Sequence, residues 1–186
     1  MFQYVTVFAL FLCGINSQTV REGKCPDVPV QENFSLIKFA GAWYEAERSP
    51  IEFEEGGSCT THTLTPVSKV TYHEVISQLL RESGQTRLID GTATLSGKLD
   101  EAKFTVNLNI GPQSRTTPYF ILETDNNKYA SMWSCSQIDA NSYAEFAIIM
   151  TRSRNPSKKI LKKARNVYDR NNISRNEFKK VDQNNC

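Results

Sequence analysis

Phe104-Thr105-Val106-Asn107-Leu108-Asn109-Ile110 alternates apolar and polar residues at every step, and Gly111-Pro112 ends it. Strict period two is the pattern of a β-strand with one dry face and one wet face. Phe104, Val106 and Leu108 share the dry face, so this strand covers a core on one side only. Working outward, the same grammar recurs with more noise near residues 43–48, 59–65, 69–77, 86–95, 119–123, 129–135 and 143–151. Turns carrying Gly or Asn separate these runs, at Glu55-Gly56-Gly57, Ser83-Gly84, Ser96-Gly97, Asp125-Asn126-Asn127 and Asp139-Ala140-Asn141. About eight short strands at regular spacing predict an all-β antiparallel barrel or sandwich.

Beyond the last of these runs the period changes. Ile160, Leu161, Ala164, Val167 and Tyr168 fall on one stripe of a helix. Asn155 is expected to cap it and Pro156 to take its first position. Lys158, Lys159, Lys162, Lys163 and Arg165 make the opposite, solvated face. A short last strand is expected near residues 178–181. Strands followed by one amphipathic helix restrict the architecture, and a barrel of about eight strands is just wide enough to hold one small ligand.

Composition sets the compartment and excludes some partners. The chain has 186 residues, 39% of them hydrophobic, and a net charge of +2. That is enough for one domain with a core, and too little basic excess for a nucleic-acid binder. Residues 5–15 form an apolar run too short to span a bilayer. With Asn16 and Ser17 after it, the run is expected to be a signal peptide over residues 1–17, leaving one domain over 18–186. No later stretch is long and apolar enough for a membrane helix. Of five cysteines, Cys13 leaves with that segment. Cys25, Cys59, Cys135 and Cys186 remain, an even set that implies two disulfides in an exported protein, with three pairings open. Asn33-Phe34-Ser35 and Asn172-Ile173-Ser174 are sequons, so Asn33 and Asn172 are candidate glycosylation sites. The mature N-terminus, residues 18–33, is expected to be an extended arm pinned by Cys25.

Three short motifs then occur in order: Gly41-Ala42-Trp43-Tyr44-Glu45, Thr124-Asp125-Asn126-Asn127-Lys128-Tyr129, and Arg152 just before the helix. Together they resemble the lipocalin signature, in which a G-x-W opens the first strand, a T-D-x-x-x-Y turn joins two late strands, and a basic residue closes the last. The likeness is nearest to the apolipoprotein D, insecticyanin and bilin-binding protein branch. It implies an eight-stranded antiparallel up-and-down barrel with one C-terminal α-helix packed on it. It also implies the pairings Cys25–Cys135 and Cys59–Cys186. Gly41, Trp43, Thr124, Asp125, Tyr129 and Arg152 are then structural, with Arg152, rather than its rival Arg154, lying across the Trp43 indole to close the barrel floor.

The resemblance further implies a pocket at Phe39, Leu64, Leu108, Tyr119, Phe120 and Ile148. Alternation adds Phe104 and Phe146 to the same interior. Leu64, Leu108 and Ile148 are aliphatic where ligand-binding members of the branch carry aromatics. That is expected to widen the cavity and weaken stacking on a flat bilin, so that fatty acids, sterols, retinoids and pheromone-like lipids stand beside bilin as candidate guests. The implied function is a secreted, extracellular carrier of a small hydrophobic molecule, with no cofactor required. The alternative is a signalling or protective lipocalin that meets a cell-surface receptor through its basic helix face and the loop 49–58. An enzyme is not expected, because all four mature cysteines are committed to bridges and no triad is recognisable. His62 and His73 sit in no nucleophile or metal motif, and both are expected to face solvent from strands.

Overall fold

The structure, a computed structural model, describes residues 18–186, and the segment expected to be a signal peptide lies outside the described residues. The chain runs β1 (Thr19–Glu22), a single helical turn α1 (Leu36–Phe39), β2 (Gly41–Arg48), a 3-10 turn (Glu52–Glu54) and β3 (Gly57–Pro66). It continues through β4 (Thr71–Leu80), β5 (Thr86–Leu95), β6 (Lys103–Ile110), β7 (Gln113–Thr124), β8 (Tyr129–Gln137) and β9 (Ser142–Thr151). It ends with α2 (Lys158–Arg170) and β10 (Lys179–Lys180).

Each strand from β2 to β9 pairs antiparallel with the next, and β9 returns to pair with β2. The sheet therefore closes into an eight-stranded up-and-down barrel, which removes the exposed edges of an open sheet. Gly111, at φ +60°, takes the first place of the two-residue β6–β7 loop, where a tight hairpin needs positive φ. Phe104, Val106 and Leu108 all point into the barrel, each 3% exposed or less.

Two apolar clusters result. One fills the barrel and includes Trp43, Phe104, Leu108 and Ile148. The other lies outside it, between β7, β8, β9 and α2. This second cluster explains why β8 is buried along both faces from Tyr129 to Cys135. The Tyr168 hydroxyl of α2 lies 2.8 Å from the carbonyls of both Met132 and Ile148. Arg165 and Arg170 bond Glu47 and Glu123, so part of the basic face is spent on docking the helix.

The helix starts later than Asn155-Pro156 suggests. Ser157 is the N-cap, its Oγ accepting from the Ile160 N–H, and Pro156 stands outside the helix. Ser caps as well as Asn does, and the choice falls to the residue nearest the first helical turn. The N-terminal arm is also more ordered than an extended tail, because Thr19–Glu22 adds to β9. Cys25 is joined to Cys135 and Cys59 to Cys186, over separations of 110 and 127 residues. Each bridge closes a loop worth about 5 kcal/mol in the chain-entropy model.

One end of the barrel is sealed. Trp43 is fully buried, stacks on Phe39 at 4.7 Å, and donates its indole N–H to the Phe39 carbonyl at 2.8 Å. The Arg152 guanidinium lies 3.8 Å from the Trp43 ring centroid. It donates to the carbonyls of Ala40 and Ala42 at 2.8 Å, Phe39 at 3.0 Å and Asn126 at 3.1 Å. Gly41, at φ +97°, lets the chain turn there. Thr124 Oγ1 donates to the Tyr129 carbonyl, and Asp125 Oδ1 accepts from the Lys128 N–H at 2.7 Å, so the turn carrying Asn126 is held in place. Arg154 stacks instead on Tyr44.

Arg152→Ala strips five backbone carbonyls, that of Lys38 included, of a donor and removes the cation–π contact. It is expected to lower the unfolding free energy by about 2–4 kcal/mol. Arg152→Lys should restore little of this, since one ammonium cannot reproduce the fork. Urea denaturation of the oxidised protein measures both.

Candidate functional site

The barrel interior has two unlike halves. Near the sealed end the wall is apolar and encloses a small cavity of about 30 Å³. Phe39, Leu64, Tyr72, Phe104 and Tyr119 line it, and Glu74 is the one charged group in its wall. Tyr72 donates its hydroxyl to the Leu36 carbonyl, whereas the buried Tyr119 hydroxyl has no partner.

Of the residues expected to hold a ligand, Phe39, Leu64, Phe104 and Tyr119 line this cavity. Leu108, Phe146 and Ile148 belong to the same interior cluster but lie outside the cavity wall. Phe120 is elsewhere: it packs beside Trp133, ring centroids 5.8 Å apart, in the cluster beneath the helix. Period two makes this unavoidable. Tyr119 and Phe120 are neighbours on one strand, so only one of them faces inward.

Leu108 and Ile148 are packed tight, and Ile51 and Phe53 join the same interior cluster. These two come from the loop 49–58, expected to be an exposed docking surface. It folds over the barrel mouth instead, with Ile51, Phe53 and Glu54 all buried. Pro50 and Gly56-Gly57 flank the inserted turn, and Gly56 has φ +72°. A larger cleft of about 410 Å³ lies at the loop's outer side, bounded by Arg81 and the tail residues Lys179 and Lys180. Its charged rim does not suit an apolar guest.

Towards the mouth the interior is polar. His62 is 1% exposed, which corrects the expectation that it faces solvent. His73 is exposed and meets Asp90 at 2.6 Å. Both ring nitrogens of His62 face carboxylates: Nε2 lies 2.7 Å from Glu45 Oε1 and Nδ1 lies 2.9 Å from Glu74 Oε1. A carboxylate only accepts, so the ring carries both protons. Burial opposes that charge, but the hydrogen bonds to Glu45 and Glu74 outweigh it and hold the imidazole pKa well above its ordinary value. Arg48 donates to Glu45 Oε2 at 2.6 Å and to the Glu54 carbonyl at 2.7 Å.

Glu54 completes the group. Arg48 Nη1 stands 3.1 Å from its Oε2 but off hydrogen-bond geometry, and Glu54 meets the Glu45 carboxylate through a hydrogen bond that requires one of the two acids to keep its proton. Burial raises the Glu54 pKa, and the nearby Glu45 charge adds to this, pushing it to about 8. Glu45, although buried, is held down at about 2 by His62 and Arg48. Glu45, Glu54 and His62 offer atoms within 4.8 Å of one another, a donor set suited to a metal ion. Arg48 already stands between the two carboxyl groups, so a positive charge fills that place.

The signal for this cluster was present in the sequence. Glu45 shares a strand face with Trp43, and His62 shares one with Leu64, two residues away in each case. Polar residue type hid them. The tail also matters here: Gln183 Nε2 donates to the Glu45 and Thr60 carbonyls, bridging β2 and β3 where their pairing stops.

These shifts set a pH dependence. Glu54 holds a proton that the unfolded chain releases, so its effect on stability worsens as pH rises from about 4.5 to about 8. The His62 contribution is complete below the ordinary imidazole value and is lost as pH climbs through its raised pKa. The Glu45 contribution is complete above about 4.5 and is lost as pH falls through about 2. Melting temperature is therefore expected to peak near pH 5 and fall towards pH 8. Glu54→Gln should flatten that fall, as thermal melts followed by circular dichroism will show.

Comparison with known proteins agrees with this architecture. The family model described as the lipocalin / cytosolic fatty-acid binding protein family matches residues 40–185. Apolipoprotein D of Cavia porcellus is 32% identical over 188 residues, covering 100% of this chain and 96% of that protein. The bilin-binding protein of Pieris brassicae is 28% identical over 156 residues, covering 82% and 79%. The solved structure of insecticyanin from the tobacco hornworm Manduca sexta superposes with a TM-score of 0.77 at 23% identity, covering 89% of each chain. With a closed eight-stranded barrel, a Trp43–Arg152 floor and a helix docked on its outer wall, this chain belongs to the lipocalin family.

Proposed function

We propose that the protein is a secreted carrier that holds a small hydrophobic molecule inside its barrel. The observation that carries this reading is the apolar cavity at the sealed end, beneath a mouth covered by an inserted loop. Its relatives support small hydrophobic guests as a class: one is named for binding bilin. Phe39, Leu64, Phe104 and Tyr119 would meet the guest directly, with Leu108, Phe146 and Ile148 packed around them.

Export fits two long-range disulfides and a signal peptide over residues 1–17. Asn33 and Asn172 are exposed, as N-glycan attachment requires. Among the described residues no helix is long and apolar enough to cross a membrane. Carriage is favoured over a signalling role through loops because the loop 49–58 turns inward and Arg165 and Arg170 are engaged by the barrel. It is favoured over thiol-based enzymology because the four cysteines among the described residues are all bridged.

The loop residues occupy space that a guest needs. Nile red, a neutral apolar dye, is expected to bind one per chain. Phe53→Ala should raise its affinity several-fold while lowering stability by about 3 kcal/mol. Fluorescence titration and urea melts measure the two effects. A dye that fails to bind, with Phe53 present or removed, would overturn the carrier reading.

A further inference from the structure

The interior holds one acid too many. Glu45 (β2), Glu54 (the mouth loop) and Glu74 (β4) are buried, 4% exposed or less. Facing them are two cations, Arg48 from β2 and His62 from β3. Arg87 of β5 reaches only Gln78, and Arg115 of β7 pairs with Glu52; both arginines stand at the part-exposed rim, where water screens them. Three carboxyl groups against two cations leave one negative charge without a counterpart. Two groups mark where it is felt. Glu54 meets the Glu45 carboxylate through a hydrogen bond that exists only while one of the two acids keeps a proton, and the Tyr119 hydroxyl is buried without a partner. Tyr119 and Glu74 both line the apolar cavity, so the polar end of that cavity is a carboxylate and a free phenolic oxygen.

Resting on the carrier reading, we propose that the guest is an apolar molecule bearing one basic nitrogen. Its ammonium would sit between the Glu74 carboxylate and the Tyr119 hydroxyl, with its hydrocarbon part against Phe39, Leu64 and Phe104. The physical reason is charge balance in a dry space. Without a guest, the surplus acid is neutralised by a proton kept on Glu54, whose pKa of about 8 records the cost of ionising it there. A ligand ammonium supplies the missing positive charge and displaces that proton. A carboxylate guest would instead add a fourth acid to the same buried volume. This counts against fatty acids and against any chromophore that carries free carboxylates.

The test uses octylamine, octan-1-ol and octanoate as displacers of Nile red from the disulfide-bonded chain. Octylamine stays cationic below pH 9, as lysine does. It is expected to bind at least tenfold more tightly than octan-1-ol, with octanoate weakest. Calorimetry in phosphate and in Tris at pH 7 should show about one proton released per octylamine bound, and affinity should rise up to tenfold per pH unit until about pH 8. Glu54→Gln should abolish the proton release and the pH dependence. Glu74→Gln should remove the preference for amine over alcohol in direct calorimetric titration, with far-ultraviolet circular dichroism reporting that the barrel has folded. Octanoate binding as tightly as octylamine overturns the inference, as does an amine preference that survives in Glu74→Gln. Displacement of Nile red by none of the three also overturns it. Each of those results leaves the carrier reading standing, because that reading falls only if Nile red itself fails to bind.

Discussion

Trp43 lies between the Phe39 ring and the Arg152 guanidinium, and the closed barrel depends on that stack. An eight-stranded sheet can close only if the ends of its first and last strands are brought together. Trp43 is near the start of β2 and Arg152 follows the end of β9, so the contact joins the places where closure happens. Arg152 also collects carbonyls from the α1–β2 turn and from the β7–β8 turn. One planar cation thus satisfies backbone groups that the end of a barrel would otherwise bury unpaired.

Sealing one end leaves the other as the entrance, and the protein treats that end differently. The floor is dry and aromatic; the upper half holds Glu45, His62, Glu74 and Arg48 in one hydrogen-bonded chain. Buried ions survive there because both His62 ring nitrogens and both terminal nitrogens of Arg48 meet an acceptor at 2.9 Å or less. Replacing one member would leave another uncompensated, which is the expensive way to bury charge. Glu54 is the exception, and it arrives on the loop that caps the mouth. The loop and the charge network are therefore one unit: displacing the loop also changes the electrostatics of the interior.

Particular residues show how much of this was readable in advance. The strand 104–110 declared its inward face through alternation, because side-chain direction in a strand is a local property. The signature residues placed the floor, and they too act over short stretches. His62 was misread because a histidine in a strand looks like a solvent-facing polar residue. Its partners lie 12 and 17 residues away on two other strands, and nothing in its own neighbourhood names them. Phe120 was misplaced for the opposite reason. Its aromatic character fitted an apolar interior, while the outer face of β7 is equally apolar under α2.

The sequence by itself determined the strand periodicity, the trailing amphipathic helix, the four cysteines at positions 25, 59, 135 and 186 and the motifs that belong to the lipocalin family. Periodicity, helix and each motif are written in residues close together in the chain, and the cysteines are legible from their number alone. Only the tertiary structure decided what fills the barrel. Closing the sheet brings Glu45, Glu54, His62 and Glu74 from four segments into one dry space, and folds the loop 49–58 inward over them. Charge pairing and loop packing depend on distances through space, which period and spacing along the chain do not encode.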